Sequence, residues 1–152
     1  MKILGIRTSS TSIRYALLKK DEEGNIYFLN NDTENCLLYP RSLTSIGDKL
    51  NWVRLEIDRI INQNKDLDKI VIKINEYTFN DSKSKRENSY VDGIVIETGS
   101  EHSIPVELKL YNQISACSKD ALRLAETRVG KTTTKWNKTI ADAILAAYWE
   151  IK

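Results

Sequence analysis

Lys2-Ile3-Leu4-Gly5-Ile6-Arg7-Thr8-Ser9-Ser10 is an apolar run of strand length that turns polar at Arg7. A second apolar run, Ile13–Leu18, follows after a few polar residues. Asp21-Glu22-Glu23-Gly24-Asn25 has the composition of a turn, and Ile26–Leu29 reads as a third strand. Parallel neighbours need a crossover of a dozen residues or more, and none fits here. The three strands are therefore expected to form an antiparallel meander.

Beyond the meander, Asn30–Ser45 is polar, contains Pro40 and reads as a loop that Cys36-Leu37-Leu38-Tyr39 tacks to the body. Ile46, Leu50, Val53, Ile57 and Ile60 are spaced 4, 3, 4 and 3 apart, which predicts a helix from Ile46 to Asn62. Lys69–Ile74 is continuous and β-branched, as in a strand covered on both faces. Asn80–Asn88 is polar and basic and reads as a loop; Tyr90–Thr98 has one helical apolar face, which β-branching and Gly93 oppose. Pro105–Leu110 reads as a strand and Asn112–Cys117 as a turn or short helix. Ser118–Val129 reads as a helix capped by Ser118 and ended by Gly130, and Thr139–Ile151 as a helix rich in apolar and small residues. A meander followed by βαβ units predicts an α/β domain with a mixed five-stranded sheet flanked by helices.

The chain of 152 residues has the length of one domain, residues 1-152, at roughly 100–200 residues each. Hydrophobic residues at 41% and charged residues at 29% exclude wholesale disorder. No apolar stretch approaches the roughly 18 residues of a membrane span, and signal-peptide architecture is lacking. Two cysteines, Cys36 and Cys117, are too few for a disulfide framework or a zinc site and suit a reducing, cytoplasmic compartment. With a single histidine, His102, any catalytic site is expected to be built from carboxylates. The net charge of +2 favours no class of partner.

The order of elements, and three blocks of sequence, resemble the RNase H-like superfamily, and within it the RuvC-type Holliday junction resolvases. Ile3-Leu4-Gly5-Ile6-Arg7-Thr8-Ser9-Ser10 is similar to that family's opening strand, apolar-apolar-Gly-apolar-Asp-Pro-Gly-Ser. Ile70-Val71-Ile72-Lys73 is similar to its fourth strand, which ends apolar-Ile-Glu. Ala141-Asp142-Ala143-Ile144-Leu145-Ala146-Ala147 is similar to its last helix, with the pattern Asp-x-x-Asp-Ala-x-x-x-Ala. The resemblance implies an RNase H-like fold over nearly the whole chain. It also implies two-metal nuclease chemistry, in which carboxylates hold Mg or Mn ions that activate water.

Three of the positions that the resemblance assigns to metal-holding carboxylates carry other residues: Arg7, Lys73 and Thr139. Asp142 matches without adjustment, and Glu76 lies three residues beyond Lys73. Cleavage by the family mechanism is therefore not expected, and no cofactor is. If the chain is active, Glu76 and Asp142 are the candidate catalytic and metal ligands, completed by a loop carboxylate such as Asp81. Asp142 lies in a helix apolar nearly all round, where an unpaired carboxylate is costly. The resemblance sets Arg7 opposite it, so an ion pair is expected between them. Lys73 reads either as a solvated strand-end lysine or as a phosphate contact.

Between Lys119 and Lys138 six cations face only Asp120 and Glu126. Arg128, Lys131, Lys135 and Lys138, with Trp136 beside Lys135, have the residue types that contact phosphates and stack on bases. Lys83, Lys85 and Arg86 form a second cluster. A solvated face explains both clusters and is the commoner reading of such residues. Tyr148 and Trp149 near the C-terminus are candidates for an exposed aromatic patch. Three functions remain open: a degenerate RuvC-like domain, or pseudoenzyme, binding DNA, RNA or protein without cutting; a metal-dependent nuclease with a shifted ligand set; and a structural subunit of a homodimer or larger assembly.

Overall fold

The computed structural model describes all residues, Met1–Lys152. β1 (Lys2–Thr8), β2 (Ser12–Lys20) and β3 (Ile26–Phe28) form the meander, and β4 is Cys36–Leu38. Then come α1 (Ile46–Gln63), β5 (Lys69–Lys73), α2 (Lys83–Glu101) and β6 (Val106–Lys109). A 3-10 turn at Tyr111–Ile114 leads into α3 (Ala121–Val129) and α4 (Lys138–Ile151). The sheet runs β3-β2-β1-β5-β6, antiparallel through the meander and parallel between β1, β5 and β6, with β4 on the outer edge of β2. No helix is long and apolar enough to cross a membrane.

Alternation along the strands sorts the core into two layers. Ile3, Ala16, Leu18 and Val71 face α3 and α4; Leu4, Ile6, Ile13, Tyr15, Ile70 and Ile72 face α1 and α2. α4 is buried nearly all round because it crosses the middle of the sheet at very short range. A Cβ on Gly5 would overlap the Ala143 carbonyl and come within 2.8 Å of the Ala147 Cβ. The small residues of the last helix and the glycine of the first strand are thus one packing solution.

Several expectations need correction. The sheet has a sixth strand, because Cys36–Leu38 pairs with Ser12–Arg14 of β2; three residues carry no readable period. Asn80–Asn88 is mostly helical, not a loop. Ser82 caps α2, its side chain accepting from the Lys85 N–H at 3.1 Å, and the exposed first turn has no apolar stripe to announce it. Ser118 does not cap α3, which starts at Ala121 behind Asp120; the Ser118 hydroxyl is instead a partner of Lys138. Tyr148 and Trp149 are half-buried against the α4-side core and carry Arg128 and Lys152 on their rings, so no free aromatic patch forms.

Candidate functional site

Odd-numbered positions of β1 and β5 face α4, so Arg7 and Lys73 share a face. Ile6 pairs with Ile72 in register, which sets Arg7 and Lys73 side by side at the strands' carboxyl ends. Arg14 of β2 pairs with Arg7 on the other side. Three cations therefore stand in a row across β2, β1 and β5, beneath the first turns of α4. Asn137 caps that helix, accepting from the Ile140 N–H at 3.2 Å.

Asp142 faces the row. The Arg7 Nε lies 3.3 Å from the Asp142 Oδ2, so the expected ion pair forms. The Arg7 Nη1 donates to the Lys73 carbonyl at 2.9 Å. The Tyr111 hydroxyl donates to the Asp142 Oδ1 at 2.7 Å, occupying the second carboxylate oxygen. Lys73 is fully buried, neither solvated nor placed as a surface phosphate contact. Its ammonium donates to the Ile74 carbonyl at 2.6 Å and to the Glu76 Oε1 at 2.8 Å, and sits 3.9 Å from the centre of the Tyr111 ring. Glu76 also accepts from the Tyr111 N–H at 2.8 Å. Arg14 is buried with no carboxylate at all: it donates to the Asn35 carbonyl and Oδ1, the Lys135 carbonyl and the Asn137 Oδ1.

Electrostatics follow from burial first and partners second. Burial pushes the Asp142 carboxyl up, against the pull of the Tyr111 hydroxyl and of Arg7, Lys73 and Lys138. Burial lowers Lys73, and the neighbouring Arg7 charge adds to this, while Glu76 opposes it. Burial alone would raise Glu76, but bonds from Lys73 and the Tyr111 N–H hold it below the usual carboxylate range. Tyr111 is raised by burial and by its bond to Asp142.

These residues do not fit a divalent metal centre. Mg or Mn requires several oxygens converging on one point, usually carboxylates and waters. Here Asp142 is held by a guanidinium and a phenol, and Glu76 by an ammonium and a backbone N–H. Asp81, the loop carboxylate considered as a third ligand, accepts from Arg86 at 2.7 Å. No group of three or more His, Cys, Asp or Glu side chains is arranged to hold a metal ion. Arg7 and Lys73 present positive charge to the same space.

The other face of β1 carries a second buried carboxylate that the sequence did not single out. Thr8 points toward α2 and donates to the Asp92 Oδ1 at 2.9 Å. Asp92 also lines an open pocket of about 420 Å³ with Glu76, Lys85, Arg86 and Leu108. The loop between β5 and α2 borders it and projects two aromatic side chains: Tyr77 is 82% exposed and Phe79 fully so. Both were also missed. Their only sequence signal was two aromatics within three polar residues.

Lys83, Lys85 and Arg86 lie on the first turn of α2, beside this loop. Lys83 is largely free, 3.8 Å from Glu87; Lys85 donates to the Thr78 hydroxyl and Asn80 carbonyl; Arg86 pairs with Asp81. The basic residues between Lys119 and Lys138 lie on the opposite face of the sheet, so the two clusters do not converge. Arg128 stacks on Tyr148, Lys131 pairs with Glu126 at 3.1 Å, and Trp136 is half-buried against the core. Lys135 is exposed, and its carbonyl anchors Arg14. Lys138 approaches the Tyr111 ring and so belongs to the Arg7 site. His102 meets Asp58, far along the chain from these groups.

No protein-family model matches the sequence, and no curated protein matches it. Solved structures do share its fold. RuvC of Thermus thermophilus is similar with a TM-score of 0.78 and 11% identity, covering 98% of this chain and 92% of that one. The T. thermophilus RuvC in complex with Holliday junction substrate gives 0.76 and 12% over the same shares. The Fowlpox virus resolvase, in complex with substrate Holliday junction DNA, gives 0.60 and 11% over 99% of this chain and 97% of that one. The chain thus has the RNase H-like fold of RuvC and related Holliday junction resolvases, with the mixed sheet and flanking helices expected from its sequence.

Proposed function

We propose that this chain is a RuvC-like domain that binds branched nucleic acid without cutting it. The observation that carries the proposal is the ion pair of Arg7 with Asp142, with buried Lys73 beside it, at positions where the resembled family holds metal ions. Both Asp142 oxygens are taken, by Arg7 and the Tyr111 hydroxyl, and Glu76 leaves only its Oε2 open, too few free oxygens to assemble a two-metal centre.

Binding is supported by two further features. Structures of the same fold are described with Holliday junction DNA. The exposed pair Tyr77 and Phe79 stands beside Lys83, Lys85 and Arg86, combining stacking faces with cations for the backbone. Base–aromatic stacking contributes about 1–3 kcal/mol per base.

The test is binding to a four-way DNA junction, a duplex and a single strand over a range of salt, together with cleavage assays in Mg and Mn. The expected result is junction binding that weakens steeply with salt, with all strands intact. Replacing both Tyr77 and Phe79 by alanine is expected to weaken junction binding at least tenfold while leaving the fold unchanged. Metal-dependent cleavage, or no binding of any of the three, overturns the proposal.

A further inference from the structure

We propose that the row of cations holds a nucleic-acid phosphate directly, through the outer edge of the Arg7 guanidinium, with no metal ion between them. This rests on the nucleic-acid-binding function proposed above and assigns the contact to one residue.

Arg7 is fixed on its inner side and open on its outer side. Nε is held by Asp142 and Nη1 by the Lys73 carbonyl. Nη2 donates to no protein group, and it is not among the buried polar atoms left without a partner, so it reaches solvent. The side chain retains 18% exposure. A guanidinium held in this way keeps N–H donors aimed outward in a fixed plane, the geometry that suits a phosphate. Thr139 lies one turn before Asp142 on the same face of α4. It is half-buried, and its hydroxyl bonds to no protein group, offering a neutral donor on the helix face that carries Asp142.

The sign of the local charge agrees. Arg7, Lys73 and Lys138 all act on Asp142, and Glu76 is the second carboxylate of the cluster. Arg14 adds a charge that only neutral acceptors meet. Cations thus outnumber carboxylates four to two on this face, and four to three when Asp92, across β1 and within the field of Arg7, is counted. A cluster of carboxylates repels phosphate until metal ions fill it; this cluster attracts phosphate as it stands. Magnesium has no bridging role here and acts only as a competing counterion.

The experiment titrates a fluorescein-labelled four-way DNA junction with the full chain, in EDTA and in Mg, and needs no variant for its first arm. Affinity in EDTA equal to or higher than in Mg is expected; binding that requires Mg overturns the direct contact while leaving nucleic-acid binding standing. The second arm compares wild type with Arg7→Gln/Asp142→Asn, which removes the pair without stranding a buried charge, and with Arg7→Lys. The slope of log affinity against log salt is expected to fall by about 1 in the double variant and to be retained in Arg7→Lys. Affinity is expected to fall about tenfold in the double variant. A merely structural Arg7 leaves the slope unchanged, and that result refutes the contact. If the double variant is not folded by circular dichroism, a scan of single methylphosphonates around the junction decides with wild type and Arg7→Lys. One neutralised phosphate should weaken wild type by several-fold and Arg7→Lys by less; equal losses at every position refute the contact. A wild type that binds no junction at all removes the functional proposal and this contact together.

Discussion

Asp142 and Asp92 are two buried carboxylates on opposite faces of one strand, contacted by its successive residues Arg7 and Thr8. Asp142 has a guanidinium on one oxygen and a phenol on the other. Asp92 has one hydroxyl. Burial pushes Asp92 up to about 6, against the Thr8 bond and the Arg7 charge. The difference shows what a full set of partners does. Burial pushes both carboxyls up, but at Asp142 the Tyr111 phenol and the Arg7 guanidinium oppose it directly, whereas at Asp92 a single hydroxyl does and the carboxyl takes up a proton in mild acid. Two buried polar atoms on the Asp92 side, the Tyr39 hydroxyl and the Asn88 Oδ1, also lack partners. Outside the α1–α2 layer the Thr132 hydroxyl is the one such atom, so the α1–α2 layer is the less fully satisfied of the two.

The largest effect is expected from Arg7→Ala, which strands the Asp142 carboxylate. Breaking one partner of a buried pair costs about 3–5 kcal/mol, and the partial exposure of Arg7 places the expectation near the lower end, about 3. Denaturant unfolding measures it, and adding Asp142→Asn should restore more than half; no recovery would show that the pair is not what stabilises this face.

Asp92→Asn is expected to act in the opposite direction. The folded carboxyl, at about 6, lies above its ordinary 3.8, so between those values the native state holds a proton that the unfolded chain has released. Stability from this group therefore falls as pH rises from 3.8 to about 6 and is flat above. The full shift corresponds to about 3 kcal/mol; Asp92→Asn removes that loss and is expected to recover about 2 of it at pH 7, the amide replacing the carboxyl's hydrogen bond imperfectly, with the slope between those pH values abolished. Unfolding curves at pH 4.5 and 7 check it; equal destabilisation at both would mean that the carboxylate is better satisfied than its single bond indicates.

Tyr111→Phe removes one bond to a charged group, worth about 1.5 kcal/mol, and should push Asp142 further up. Thermal unfolding together with NMR titration of the carboxyl tests both effects. Lys83→Ala is expected to change stability by less than about 0.5 kcal/mol, because the side chain is 90% exposed and its nearest carboxylate lies 3.8 Å away. Any effect of that variant should appear in nucleic-acid binding instead.

The sequence made the architecture legible where a period was long enough to read. The 4-3-4-3 apolar spacing in α1, the β-branched run of β5 and the three-strand meander all appear as expected. It failed where the structure is short or exposed: β4 has three residues, and the start of α2 is polar because that turn faces water. In the candidate site, Arg7 and Asp142 were readable as two charges needing each other, since each lies next to an apolar run. Tyr111 and Asp92 were not, because a tyrosine after a strand and an aspartate on an amphipathic helix are locally ordinary.

By itself, then, the sequence determined most of the strands and helices, β4 and the start of α2 excepted, and that the last helix carries a carboxylate needing a partner. Periodicity and the cost of burying charge act locally and leave their mark in neighbouring residues. Only the tertiary structure decided that Arg14, Arg7 and Lys73 form one row, that Tyr111 closes over Asp142, and that Asp92 waits on the other face. Register between strands and the side-to-side alternation of β1 bring together groups up to 135 positions apart, as between Arg7 and Asp142. No local pattern encodes such a pairing; it follows from where the Gly5 notch lets α4 settle on the sheet.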